Sequence, residues 1–283
     1  MLMNTLTNDQ LRRAAPSIFA TQPWHGVSDK YAFIPTIDIV DALREEGFMP
    51  VLATQSPARI AGKGDYTKHM LRFRREQDML PRVVDGNAHH IYAKGQQPEV
   101  PEIVLVNSHD RSSGFNINAG LYRLVCSNGL VVQSASFDSI RVRHMGANTK
   151  DEVIEGSFRI IEEMPVILEQ MAEMKQVKLE PEQQRAYAEA ALQLRWPLDD
   201  AGSATSPVMP GDLLRVRRIE DAGNDLWSTF NRVQENFIKG GLRGVGTTGK
   251  RLRTRAIKSV GEDLRLNKAL WTLTEKMGQL LAA

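Results

Sequence analysis

The sequence predicts an α+β fold with a mixed or antiparallel N-terminal sheet, accompanying helices and a helical C-terminal part. Short segments between residues 49 and 143 are apolar or alternate apolar with polar residues, which is typical of strands. From residue 151 onward, apolar residues recur every three or four positions, which is typical of amphipathic helices. Within the helical half, the stretch 196–211 is rich in Pro, Gly, Ser and Asp and indicates a linker.

Two helices open the predicted order of elements, and a series of strands follows. A short helix is predicted from Asn8 to Ala15 and a longer one from Pro35 to Glu46, because proline suits a first turn and Gly47 suits a C-cap. Strands are predicted at 49–54, 68–75, 102–107, 115–125, 129–132 and 139–143. The first two strands should form a hairpin with a cationic arm.

Four helices are predicted in the second half, at 151–171, 181–194, 225–238 and 264–281. One face of the first should carry Ile154, Phe158, Ile161, Leu168 and Met171. Pro165 lies inside this helix and should kink or split it. The last two helices should pack as a hairpin-like unit through Trp227, Phe230, Leu270 and Trp271.

Composition divides the chain into five predicted segments with different charge. They are an N-terminal arm at 1–30, an α+β sheet domain at 31–150, a helical segment at 151–195, a linker at 196–211 and a basic helical part at 212–283. Residues 151–200 include 12 acidic and 5 basic side chains, a net charge of −7, whereas residues 212–258 include 5 acidic and 11 basic ones, a net charge of +6. Such asymmetry indicates a surface for a polyanion.

Several classes of protein are excluded by composition. With 283 residues, of which 42% are hydrophobic, the chain can bury one large core or two smaller ones. The single cysteine, Cys126, cannot form an internal disulfide or a Cys-rich zinc site, and the six histidines show no metal-ligand spacing, so we expect no metal and no cofactor. No apolar run approaches the ~20 residues that cross a bilayer, and no secretory signal opens the chain, so a cytoplasmic location is expected.

The most unusual segment, 236–261, has basic but no acidic residues. Its seven cations are Lys239, Arg243, Lys250, Arg251, Arg253, Arg255 and Lys258. The glycines at 240, 241, 244, 246 and 249 make it a flexible loop in this interpretation, and such a loop can follow a phosphate backbone; a solvated surface loop is the alternative. Residues 244–251 nearly match a phosphate-binding loop, but Arg251 stands where a Ser or Thr should hold Mg²⁺, so a nucleotide site is not favoured.

A second basic cluster lies on the predicted hairpin. Its cations are Arg59, Lys63, Lys68, Arg72, Arg74 and Arg75, against the one acid Asp65, with Tyr66 and Phe73 as interleaved aromatic residues. Aromatic rings can stack on bases while cations hold phosphates. A charged edge hairpin that resists aggregation is the alternative.

The polar run 107–113 follows the clearest predicted strand. His109 beside Asp110 could serve as an oriented base, with Cys126 or Ser112 as a nucleophile. Adjacent side chains rarely face each other, however, and Asp, Asn and Ser also cap turns. The pattern therefore favours a structural role, and Cys126 is expected to be buried as a small apolar side chain.

The two runs 106–110 (VNSHD) and 122–130 (YRLVCSNGL) resemble the core signature of the phage/plasmid-like proteins of domain of unknown function 932. The signature residues are Asn107, His109, Asp110, Arg123, Cys126, Asn128 and Gly129. Later runs at 225–236 and 266–271 are similar to the C-terminal part of that family. One departure is Arg111, where relatives often have glycine. The resemblance implies a bacterial protein carried by phages, plasmids or genomic islands, and it implies no catalytic residue.

These observations favour a nucleic-acid-binding accessory protein of a mobile genetic element over an enzyme. Binding or annealing of single-stranded DNA is the specific form that we expect, with no membrane partner and with homo-oligomerisation left open. Two alternatives remain at this point. One is an enzyme with a site at 107–113 and 123–128, and the other is a protein that counters host defence through the acidic helices at 151–195.

Overall fold

The computed structural model of the 283-residue chain describes residues 5–25, 33–75, 99–123, 129–132, 139–142 and 148–282. The chain divides into two compact units. The first comprises Met1–Met164 with Ser259–Gly261, and the second comprises Pro165–Lys258 with Glu262–Ala283. This division into two compact units does not test the finer division into five segments, which remains a prediction.

Two helices precede the sheet of the first unit, as predicted. Helix α1 spans Asn8–Ala14 and begins with a capping box, in which Thr7 and Gln10 each accept a hydrogen bond from the other's backbone N–H. Helix α2 spans Thr36–Glu45 after Pro35. It ends before Gly47, whose φ of 80° is the left-handed conformation that glycine adopts without strain.

In the described part of the first unit, six strands form an antiparallel sheet, which confirms the predicted α+β class. They are β1 (Phe48–Gln55), β2 (His69–Arg75), β3 (Glu99–Asn107), β4 (Phe115–Arg123), β5 (Gly129–Val132) and β6 (Ile140–Val142). The order is β1-β2-β3-β4-β5, and β6 pairs with β4. The predicted β1–β2 hairpin is confirmed, but β2 also pairs with β3, so it is a central strand.

Helix α3 spans Thr149–Gln176 and covers one face of this sheet with its first half. A Cβ on Gly156 would lie 2.7 Å from Ile117 Cδ1, so the helix approaches β4 closely at this point. The ring of Phe158 lies 5.3 Å from that of Phe48, centroid to centroid. The small residue therefore permits the packing that buries this side of the sheet.

The structure corrects two details of α3. Pro165 does not split the helix, which continues through it with Met164 and Ile167 buried on either side, and the predicted kink stays a prediction. A proline removes only one hydrogen bond from a helix, and burial of apolar side chains outweighs that loss here. The buried face is also displaced from the predicted one, since Phe158 is 41% exposed and Ile160 is fully buried.

The second unit consists of helices and one small hairpin. Its elements are α4 (Pro181–Arg195), α5 (Pro210–Leu213), α6 (Leu226–Lys239), β7 (Arg243–Val245), β8 (Arg251–Arg253) and α7 (Val260–Ala282), together with the second half of α3. The predicted aromatic packing is confirmed, because the Trp227 ring lies 5.4 Å from Phe230 and 6.2 Å from Trp271. Within the described parts of the chain, no helix is both long and apolar enough to cross a membrane.

Candidate nucleic-acid interface

The basic segment between α6 and α7 is a structured hairpin, so the prediction of a flexible loop is wrong. Strands β7 and β8 pair in the register Arg243↔Arg253, Gly244↔Leu252 and Val245↔Arg251. The turn is closed by hydrogen bonds from Gly246 N to Lys250 O (2.9 Å) and from Gly249 N to Gly246 O (2.9 Å). Glycine here permits a tight turn, and Gly249 has a φ of 75°.

The register places three arginines on one face of this hairpin. Thr254 N donates to Leu242 O, and Gly246 N donates to Lys250 O, so hydrogen-bonded pairs alternate with open ones along the ladder. Arg243 and Arg253 therefore oppose each other in a non-hydrogen-bonded pair, where side chains are closest. Arg251 shares their face, because side chains two positions apart point to the same side of a strand.

Backbone contacts hold the hairpin in place within the second unit. Val245 N donates to Pro207 O at 2.8 Å, and a Cβ on Gly244 would lie only 2.0 Å from that same oxygen. At the base of the hairpin, Arg195 donates to the carbonyls of Phe237 and Arg255, each at 2.7 Å. The arginines are thus carried by a fixed backbone.

All seven predicted cations of the segment are exposed. Lys239 forms an ion pair of 2.6 Å with Glu235. Burial raises the pKa of Glu235, but hydrogen bonds from Lys239 and Arg218 outweigh burial and lower it overall. No carboxylate of the described chain forms an ion pair with the other six, which are Arg243, Lys250, Arg251, Arg253, Arg255 and Lys258.

The near match to a phosphate-binding loop has a different structure from that loop. Residues 244–251 span the end of β7, the turn and the first residue of β8. A nucleotide-binding loop needs a strand before it and a helix after it. Here a strand follows a strand, and Arg251 lacks the hydroxyl that would hold Mg²⁺. Both features argue against a nucleotide-binding loop.

Arg72 and Arg74 are buried, so their predicted place on an exposed cationic arm is wrong. Arg72 Nη1 lies 2.8 Å from Glu102 Oε2, and Arg74 Nη2 lies 2.7 Å from Glu102 Oε1. The Glu102 side chain is fully buried. The physical reason is that β2 has a partner strand on each side and both its faces are covered. Gly120 leaves room for the pair, because a Cβ there would lie 3.3 Å from Arg72 Nη1.

The remaining cations of the second cluster lie nearer the surface. Lys63 Nζ forms an ion pair of 2.9 Å with Asp110 Oδ2. Lys68 and Arg75 are half-buried. Arg59 is exposed, and nothing in this geometry joins the six predicted residues into one basic surface.

Two signature residues form a buried polar network around Thr36. The Thr36 hydroxyl lies 2.9 Å from His69 Nε2 and 3.1 Å from His109 Nε2, and it accepts a hydrogen bond of 2.9 Å from Asn107 Nδ2. All four residues are fully buried. His69 and Thr36 were not predicted from the sequence. Alternation along β2 could have placed His69 on the same face as the apolar Leu71 and Phe73.

Asp110 contacts Lys63 rather than His109, so the two signature residues form no catalytic pair. Burial raises the pKa of Asp110, but hydrogen bonds from Ser112 and Lys63 outweigh burial and lower it to about 2. Arg111 follows with a φ of 65°, a conformation that favours glycine. The departure from glycine at this position therefore places a strained residue in the turn.

The other signature residues lie near the end of β4. Arg123 Nε is 3.9 Å from Glu99 Oε1, and both side chains are nearly buried. Gly129 begins β5 and pairs with Tyr122. Cys126 and Asn128 lie outside the described residues, so the expected burial of Cys126 stays a prediction. No group of three or more His, Cys, Asp or Glu side chains in the described ranges could hold a metal ion.

Comparison with known proteins gives a family. The family model "Domain of unknown function (DUF932)" matches residues 23–271. Two curated relatives from Escherichia coli (strain K12) are similar over 272 residues, which is 96% of this chain and 91% of each relative: UPF0380 protein YafZ at 39% identity and UPF0380 protein YfjQ at 38% identity. No solved structure matches. On the extent of these matches, the chain belongs to the DUF932 family.

Proposed function

We propose that the chain is a nucleic-acid-binding accessory protein of a phage, plasmid or genomic island, which binds or anneals single-stranded DNA through its basic hairpin. The place on a mobile element follows from the resemblance of its signature runs to phage/plasmid-like proteins. The nucleic-acid ligand follows from the chemistry of the hairpin.

The observation that carries the proposal is the pairing of Arg243 with Arg253. Like charges opposite each other in a hairpin are destabilising, and no described carboxylate neutralises these two. A phosphate between them would supply the missing negative charge, and each guanidinium can form paired hydrogen bonds to phosphate oxygens. A polyanion therefore neutralises the charge of this face, whereas a neutral ligand leaves the repulsion in place.

The hairpin should therefore contact the phosphates of the nucleic acid rather than its bases. Residues 240–258 contain no aromatic side chain, so the segment has nothing on which a base can stack. Neutralisation of phosphates releases counterions, with a log–log salt slope of about −0.7 for each phosphate of a single strand. Affinity should fall steeply with salt and depend little on sequence.

A salt titration of DNA binding tests the proposal. The test variant replaces Lys250, Arg251, Arg253 and Arg255 by Ala. The control replaces four exposed cations outside the hairpin, Arg13, Lys150, Arg159 and Arg185, so both variants lose the same charge. The test variant should bind all sequences more weakly, with a slope flatter by about 0.7 for each phosphate that it no longer neutralises, and the control should resemble the parent.

Two results would overturn the proposal. One is absence of binding by the parent chain at low salt. The other is equal binding by the test variant and the parent at about 0.1 M salt, where the screening length is still ~10 Å. A duplex of the same sequence, measured in parallel, decides whether the single strand is preferred.

The rival functions have less support. An enzyme centred on 107–113 would need accessible groups, but Asn107, Ser108 and His109 are fully buried. The acidic helices α3 and α4 expose carboxylates but present no feature that selects a protein partner. We therefore retain nucleic-acid binding as the single proposal.

A further inference from the structure

A pair of aromatic side chains is fixed at the surface of the first unit. Trp24 N donates to His109 O at 2.9 Å, and His109 N donates to Tyr66 O at 3.0 Å, so three distant segments are joined at one place. The Trp24 and Tyr66 rings lie 5.2 Å apart, centroid to centroid, at an angle of 59°. The chain therefore holds both rings through its backbone and through their mutual contact.

These two rings differ from the aromatic residues of the unit's core. Phe48, Phe73 and Phe115 are at most 1% exposed and belong to the core. Trp24 and Tyr66 are half-buried and keep part of their surface in water. A flat ligand that covers such rigidly held apolar area removes it from water, which favours binding.

Two basic residues lie close in sequence to the residues that hold the pair. Lys68, two positions after Tyr66, is half-buried, and Arg111, two positions after His109, is exposed; neither forms an ion pair with a carboxylate of the described chain. Lys63 is also close in sequence to Tyr66, but its charge is neutralised by the ion pair with Asp110. The ligand that suits this place thus has flat rings and negative charge. A neutral sugar would use the rings and leave the cations without a partner.

We infer that Trp24 and Tyr66 form a base-stacking site for single-stranded nucleic acid, with Lys68 and Arg111 holding the adjacent phosphates. In a duplex the faces of the bases are covered by their neighbours, whereas a single strand can place a base on an aromatic ring. This inference rests on the proposed function, and it adds base contact to a protein whose hairpin contacts phosphates alone.

Two strands of equal charge separate stacking from phosphate binding. One is oligothymidylate, and the other is an abasic strand of the same length, which keeps the phosphates and lacks the bases. The parent chain should bind oligothymidylate roughly tenfold more tightly, which is the scale of one stacked base. Trp24→Ala and Tyr66→Ala should lose most of this preference while binding the abasic strand as the parent does. Tyr66→Phe keeps the ring and should keep the preference.

The abasic strand also reports on folding, because a misfolded variant would lose binding to both strands. Tryptophan fluorescence gives a second measurement. Of the four tryptophans, Trp227 and Trp271 are buried, so quenching by oligothymidylate should disappear in Trp24→Phe and persist in Trp196→Phe.

Failure of the inference can be told from failure of the proposed function. Equal binding of both strands by the parent, or an unchanged preference in Trp24→Ala, would overturn the stacking site and leave the hairpin proposal standing. If the parent chain binds neither strand at low salt, both the stacking site and the proposed function are overturned.

Discussion

Replacing Arg253 by Glu should stabilise the basic hairpin and weaken nucleic-acid binding at the same time. Arg243 and Arg253 oppose each other in a non-hydrogen-bonded pair, where side chains approach most closely. The substitution removes a like-charge repulsion and adds an attraction. Each cross-strand charge pair contributes roughly 0.2–1 kcal/mol and both side chains are exposed, so the gain in unfolding free energy should be about 1 kcal/mol.

Two control variants isolate the cause. Arg253→Gln removes the repulsion without adding an attraction, so it should gain about half as much free energy. Arg255→Glu changes the charge by the same amount outside the strand register, and it should weaken binding without stabilising the chain. Urea unfolding at low salt measures the stabilities, and the differences should vanish at about 1 M salt, where the screening length is ~3 Å.

The outcome distinguishes a binding face from a charged surface without function. If Arg253→Glu is less stable than Arg253→Gln at low salt, the two arginines do not oppose each other and the argument from repulsion fails. If Arg253→Glu binds single-stranded DNA as tightly as the parent, the hairpin face is not the interface.

Three further predictions concern the first unit. Arg111→Gly should raise the unfolding free energy by about 0.5–1 kcal/mol in urea titrations, because the φ of 65° strains an arginine and does not strain a glycine; an unchanged or lower value would contradict this. Glu102→Gln should cost about 3 kcal/mol in the same assay, since it leaves the buried Arg72 and Arg74 without a counter-charge, and a loss below ~1 kcal/mol would mean that water reaches them. The pKa of Asp110 is lowered from 3.8 to about 2, so the chain should lose about 1–2 kcal/mol of stability as the pH falls from 4 to 2, and Asp110→Asn should lack this part of the acid sensitivity.

Local pattern was sufficient to predict most elements of the fold. Periodicity and turn residues placed the helices and strands, because these signals lie within a few residues of one another in the chain. The packing of Trp227 against Trp271 was also predictable, since each lies on the apolar face of one of the last two helices.

The burial of Arg72 and Arg74 could not be predicted from their own segment. Their partner, Glu102, is about thirty positions away in the chain and joins them only through the pairing of β2 with β3. One signal was present, since Glu102 is the single acid of the predicted apolar strand 102–107 and a buried acid needs a cationic partner. The hairpin at 243–253 was missed for a related reason, because Pro207, which fixes it, lies in a segment that reads as a linker.

The fixed backbone of the hairpin has a thermodynamic consequence for association. A disordered loop loses conformational entropy when it binds and buries new surface, so it shows a large negative heat-capacity change. Here the turn at Gly246–Gly249 and the strand pairing exist before any ligand arrives, so only the arginine side chains remain to be ordered. Calorimetry of the hairpin–phosphate contact should therefore show a heat-capacity change near zero, a small enthalpy and a favourable entropy from released ions.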